Sequence, residues 1–303
     1  MIPPRSIQRQ ARDRPGWAST GDHRLRTGPR LGRGHGNAAL TMPGAEKKDG
    51  TMTRMNAPAW VDLASPDTAA SIAFYSGLLG WQVAVSPDPR YGGYATAKLG
   101  GADVAGIGGK MSPEAPTAWT LYIGTDDAEA LAERVTAAGG TVVAPAFTVG
   151  DQGRMAVFQD PSGAFISAWQ PQAMAGFVTG RAGAYGWAEL NARGRDRALP
   201  FYEQVFGWTT RTSPMGEGAP PYTEFLLDGT SIAGAWEMDP ALPAGTPSYW
   251  LVYFMTEDVD DTVRRALASG ATEIVGAQDF PGGRFAILSD PQGAMVGLLK
   301  LRA

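Results

Sequence analysis

The sequence predicts an α+β chain of two tandem domains, each built from two βαβββ units. Three observations carry that prediction. Phe74-Tyr75-Ser76-Gly77-Leu78-Leu79-Gly80-Trp81 reappears as Phe201-Tyr202-Glu203-Gln204-Val205-Phe206-Gly207-Trp208, displaced by 127 residues. Trp60-Val61-Asp62-Leu63 reappears at the same offset as Trp187-Ala188-Glu189-Leu190. Asp160-Pro161-Ser162-Gly163-Ala164 reappears as Asp290-Pro291-Gln292-Gly293-Ala294, displaced by 130. A near-constant offset across separate stretches marks a duplication. It sets domains at 58–171 and 183–301, each long enough for its own core.

Each copy itself holds two similar units. Trp60 to Ser65 reads as a strand, and Asp67 is placed to cap a helix over 68–79 whose Ile72, Tyr75 and Leu79 share one face. Gly80 ends that helix. Trp81–Val85, Tyr94–Leu99 and Val104–Ile107 read as short strands separated by Gly/Pro turns. The second unit follows suit: strand Trp119–Ile123, helix Asp126–Ala138 ended by Gly139-Gly140, then strands Thr141–Ala144, Arg154–Gln159 and Ala164–Trp169. The second copy runs the same way, with strands at 185–191 and 249–254 and helices at 195–206 and 257–269. Asp-Pro-x-Gly makes the tight turn before each copy's last strand. Pro171 to Gly183 lacks periodicity and reads as the linker.

Residues 1–55 stand apart. They carry nine Arg and two Lys against four acidic residues, although the whole chain has a formal net charge of −4. Low apolar content predicts a disordered basic leader. It reads either as an arm for nucleic acid or as an upstream or tag-like extension, the working protein then starting near Met42, Met52 or Met55; it lacks the apolar core of a secretory signal. The acidic body makes nucleic acid and anionic membrane poor partners, and no apolar run reaches transmembrane length.

The chain has no cysteine, which fits a reducing cytoplasm and excludes a thiolate nucleophile. Its two histidines, His23 and His35, both precede the duplicated body. A serine nucleophile would therefore lack a histidine base there. The paired glycines at Gly100-Gly101, Gly108-Gly109, Gly139-Gly140 and Gly282-Gly283 are turn glycines, without the strand-to-helix context of a phosphate loop. Asp62 and Glu189 are the sharpest residues, each an acid in an otherwise apolar strand. A buried carboxylate must be paired or have a raised pKa. Two readings stand: structural salt bridges to Arg154 and Arg284, or a general base or anchor for a ligand hydroxyl or amine. Glu224 and Glu237 are further acids, Glu237 being expected in solvent.

The strand–Pro66-Asp67–helix–Phe74-Tyr75…Gly80-Trp81 pattern and the closing Asp160-Pro161-x-Gly163, with their second-copy partners, resemble the vicinal oxygen chelate superfamily: glyoxalase I, extradiol dioxygenases, fosfomycin-modifying enzymes and bleomycin-binding proteins. The paired Trp60-x-Asp62-Leu63 and Trp187-x-Glu189-Leu190 are similar to tandem-domain actinobacterial proteins labelled hydroxylase-like or glyoxalase-like. The resemblance implies that each pair of units forms a half-barrel mixed sheet whose concave face carries metal ligands. In this chain those ligand positions hold Trp60, Thr120 and Ser167, and Trp187, Leu251 and Gly297. None is a good ligand for a divalent metal.

Strand alternation then puts Trp60, Asp62, Thr120, Tyr122, Ser167 and Trp169 on one concave face. Trp187, Glu189, Leu251, Tyr253, Gly297 and Leu299 share the other, with Tyr94, Tyr222 and Trp236 as further lining. Such an aromatic cup suits a flat, partly apolar molecule; the rings could also simply fill the half-barrel. The expected function is metal-independent binding, by sequestration, of an aromatic or polycyclic small molecule. The alternative is a tailoring enzyme of secondary metabolism, oxygenase- or isomerase-like, using Asp62 or Glu189 as acid or base. A metal-dependent glyoxalase-type lyase or dioxygenase is the third reading, which the missing ligands oppose. No cofactor is expected, and the chain is expected to be a monomer or homodimer.

Overall fold

A computed structural model describes residues 53–174, 176–215 and 220–302. The leader expectation lies outside the described residues, apart from its last three.

Two eight-stranded mixed sheets form successive half-barrels. The first contains β1 (Pro58–Ser65), β2 (Gln82–Val85), β3 (Ala95–Leu99), β4 (Ala102–Gly109), β5 (Ala118–Gly124), β6 (Thr141–Val149), β7 (Gly153–Gln159) and β8 (Phe165–Pro171). Its order is β2-β3-β4-β1-β5-β8-β7-β6. The second contains β9 (Tyr185–Ala192), β10 (Thr209–Ser213), β11 (Tyr222–Leu227), β12 (Thr230–Glu237), β13 (Tyr249–Met255), β14 (Thr272–Phe280), β15 (Gly283–Ser289) and β16 (Met295–Leu301), in the same topological order. The antiparallel pairs β1–β5 and β9–β13 lie at the centres, so the strands that the motif analysis singles out are the most enclosed ones.

Helices α1 (Thr68–Leu79), α2 (Ala128–Ala137), α3 (Arg195–Phe206) and α4 (Val259–Ala268) cover one face of each sheet. Val61, Leu63, Leu121 and Ile123 are fully buried beneath them, the expected outcome for odd positions of a two-residue period. Asp67 caps α1 by accepting from the Ala70 amide at 2.9 Å, as its position predicts. Helices α2 and α4 start later than expected, because Asp127 and Asp258 serve as the caps. The residue that caps α3, Gly194, has no side chain to do so. The Glu237 carboxylate is exposed, as expected, and also accepts from the Gly194 and Arg195 amides at 2.7 and 2.8 Å. It satisfies two orphan donors from another strand.

The two halves share one core. Phe254 of β13 packs edge-on against Trp81 and Trp119, with ring centroids 5.3 and 4.8 Å apart. The Trp81 indole donates to the Gly183 carbonyl, and the Trp208 indole to the Asn56 carbonyl, each at 2.6 Å. Each domain thus anchors the entry strand of the other. Arg54 likewise reaches across to pair with Asp228 at 2.9 Å. Among the described residues no helix is long and apolar enough to cross a membrane.

Candidate functional site

The open face of the first sheet centres on Asp62 in β1. Tyr94 and Tyr122 both donate their hydroxyls to Asp62 Oδ2, at 3.2 and 3.1 Å. Among the described residues neither reaches Oδ1. The Trp60 indole donates in turn to the Tyr94 hydroxyl at 2.8 Å, giving a chain from indole to phenol to carboxylate. Burial dominates the electrostatics and pushes the Asp62 carboxyl up from 3.8 to about 6, the two phenols easing the shift. The carboxylate is enclosed by protein, yet one edge stays accessible. Tyr94 fits only because Gly106 faces it: a Cβ at that glycine would collide with the phenol oxygen.

The second sheet repeats this plan. The Trp187 indole donates to the Tyr222 hydroxyl at 2.9 Å, and Tyr253 donates to Glu189 Oε1 at 3.4 Å. Burial raises Glu189 from 4.5 to about 7, eased by Trp236, Tyr222, Tyr253 and Asn191. Gly234 makes the same room for Tyr222 that Gly106 makes for Tyr94.

The salt-bridge expectation is overturned. Arg154 pairs with Glu129 of α2 at 2.5 and 2.7 Å, and Arg284 pairs with Asp260 of α4 at 2.8 Å. Alternation is the reason. In β7, Met155 and Val157 lie opposite Trp169 and Ser167 on the open face, so Arg154 points to the helix side. The acids therefore have phenols and indoles for neighbours, and among the described residues no cation. Glu224 pairs with Arg211 at 2.9 Å and accepts from Ser231 at 2.5 Å, which occupies it structurally.

Trp60 offers no free ring face. It is 2% exposed, because Phe177 of the inter-sheet segment packs edge-on to it at 5.7 Å. The Trp169 indole donates to the Met174 carbonyl at 3.1 Å, and the Val178 amide to the Asp103 carbonyl at 2.8 Å. The linker thus straps one end of the cup, a role its lack of periodicity hid. Thr120 stays partly exposed beside Asp62, whereas Leu251, its counterpart beside Glu189, is buried.

The superfamily's metal positions do not fit a metal here. Ser167 is fully buried beside Tyr122, and its hydroxyl has no partner. At Gly297 the space of a side chain is taken by the Tyr253 ring, which a Cβ would strike. Among the described residues no three His, Cys, Asp or Glu side chains come together. A shallow groove of about 400 Å³ between α1 and the Pro291 turn, lined by Ala70, Phe74, Gly77 and Ser269, lies away from both acids and has no acid or base in its lining.

Comparison with known proteins agrees with the fold and extends it. The model of the Glyoxalase/Bleomycin resistance protein/Dioxygenase superfamily matches residues 57–167 and again 184–298. The provisionally named glyoxylase CFP32 of Mycobacterium tuberculosis is 39% identical over 254 residues, covering 82% of this chain and 95% of its own. The anthracycline biosynthesis protein DnrV of Streptomyces peucetius is 39% identical over 270 residues, covering 83% and 96%. Among solved structures, the Mn(II)-bound glyoxalase from Novosphingobium aromaticivorans superposes with a TM-score of 0.56 at 17% identity, covering 82% of this chain and 83% of that one. That likeness concerns the fold alone.

Proposed function

Because the chain belongs to the Glyoxalase/Bleomycin resistance protein/Dioxygenase superfamily, we propose that it uses that scaffold without the metal, to bind a hydroxylated polycyclic aromatic molecule of secondary metabolism in the cytoplasm. The observation that carries this reading is the carboxylate set among phenols and indoles in each domain, on the same strand face as the superfamily's ligand positions and directly opposite one of them. An ionised Asp62 with Oδ1 free is an acceptor for a phenolic hydroxyl, and hydrogen bonds to a charged partner are the stronger ones. Apolar and aromatic walls suit the rest of a flat ligand. The kinship to DnrV, named for anthracycline biosynthesis, supports a planar polyketide-like ligand.

A second reading, a tailoring enzyme, rests on one observation. Asp62 and Glu189 titrate near neutrality, at about 6 and about 7. A general base works best in that range. Here Asp62 would take a proton from an activated position of the bound molecule onto Oδ1, and the molecule would leave changed.

Native mass spectrometry of the purified protein, followed by a melting scan with alizarin, tests binding. The expected result is an added organic mass or a rise in Tm. A bare polypeptide mass together with an unmoved Tm would count against it. Recovering the compound unchanged favours sequestration; recovering a product favours the enzyme.

A further inference from the structure

The two cups are equivalent in register but not in content. In the first sheet the row beyond the acid is Gly108 of β4, Ala64 of β1 and Ala118 of β5. In the second, the same row is Trp236 of β12, Asn191 of β9 and Tyr249 of β13. Three small residues on adjacent strands have become two large aromatics and an amide. The consequence is visible around the acids. Asp62, Tyr94 and Thr120 all remain partly exposed, whereas Glu189, Tyr222 and Leu251 are all buried. Trp236 lies against Tyr222 with ring centroids 4.9 Å apart.

Resting on the reading above, we infer that the first domain alone holds the ligand, as one molecule per chain lying on Ala64 and Ala118 against the Tyr94 ring, with a hydroxyl at Asp62 Oδ1. The second cup is filled by its own side chains. The Tyr94 ring lies over Gly108, where a Cβ would come within 3.0 Å of it, so the open part of the row is Ala64 of β1 and Ala118 of β5, with Tyr94 as an aromatic wall at its border. Two methyl groups on neighbouring strands, about 4.8 Å apart, leave room there for the face of a planar fused-ring molecule. The linker with Phe177 closes the Trp60 end.

The test exchanges the distinguishing residues. Alizarin is titrated into the full-length protein by tryptophan quenching and calorimetry, with anthraquinone as the analogue lacking hydroxyls. The wild-type protein is expected to bind one equivalent of alizarin, more tightly than anthraquinone. Ala118→Tyr, which installs the second cup's residue in the first, is expected to weaken binding at least tenfold. Tyr249→Ala, which removes one of the second cup's filling side chains and touches nothing in the first, is expected to leave the affinity of that single site unchanged. Circular dichroism of each variant establishes folding, and Thr120→Leu repeats the blocking test if Ala118→Tyr fails to fold. Two equivalents, or loss of binding on Tyr249→Ala but not on Ala118→Tyr or Thr120→Leu, would overturn the assignment and leave the broader proposal standing. No binding of alizarin by the wild type would overturn both.

Discussion

Tyr75 of α1 donates its hydroxyl to Asp290 at 2.9 Å, joining the first domain's helix to the turn that precedes the last strand of the second. Tyr202 does the same to Asp160 at 2.7 Å. Each aspartate divides its two oxygens. Oδ1 accepts amides within its own Asp-Pro-x-Gly turn, and Oδ2 takes the other domain's tyrosine. All four residues are almost wholly buried. The motif that marks the duplication is therefore also the element that couples its halves.

Tyr75→Phe is expected to cost about 1.5–3 kcal/mol, the range for a hydrogen bond to a charged partner. It also strands the Trp119 indole, which donates to Tyr75 at 3.0 Å. Urea unfolding measures the loss, and the wild type is expected to unfold in one transition because the core spans both domains. An unchanged midpoint, or two separate transitions, would show that the coupling is weak.

Titration of Asp62 has a definite sign. Its folded pKa, about 6, lies above its ordinary value of 3.8. The folded state therefore binds the proton more tightly, and stability from this group is full at low pH and falls as pH rises toward 6. Asp62→Asn removes that loss and keeps an acceptor for the two tyrosines. The variant should gain on the wild type by about 2–3 kcal/mol between pH 4 and pH 7, the shift being about two pKa units at about 1.4 kcal/mol each. Denaturant midpoints across that window decide it. A variant that instead loses several kcal/mol would point to a buried cation partner after all.

Gly106→Ala should displace the Tyr94 phenol from Asp62, since the new Cβ would collide with it. Overpacking of this kind costs about 1–3 kcal/mol. Gly109→Ala, where a Cβ meets nothing within 4 Å, is the control and should stay within about 0.5 kcal/mol. Equal Tm values for the two variants would refute the packing account.

Chelation should not matter. Prolonged dialysis against a strong chelator is expected to leave Tm and alizarin binding unchanged, because Trp60, Thr120 and Ser167, with Trp187, Leu251 and Gly297, supply no ligand set. A fall in either, restored by one equivalent of a divalent transition ion per chain, would reverse that conclusion.

Much of the fold is legible in the sequence, because duplicated Phe-Tyr…Gly-Trp and Asp-Pro-x-Gly segments report backbone geometry directly. The acids are legible too, as charges in apolar strands. Their partners are not. Alternation leaves the starting face of a short strand open, and one residue decides whether Arg154 or Met155 meets Asp62. Nor does the sequence reveal that Asp160 and Asp290 serve the opposite domain, since Tyr75 lies 215 residues from its acceptor. Phe177 sits in a segment with no periodicity to place it. Tyr249, by contrast, was within reach: it lies two residues before Leu251 on the same strand, and the period of two puts both in the second cup.

Alizarin titration into Asp62→Asn, with the melting temperature followed on the same samples, tests the central claim most directly. The account predicts a folded variant, at least as stable as the wild type at pH 7, whose affinity falls tenfold or more, a loss of about 1.4 kcal/mol. Unaltered affinity in a folded variant would contradict it.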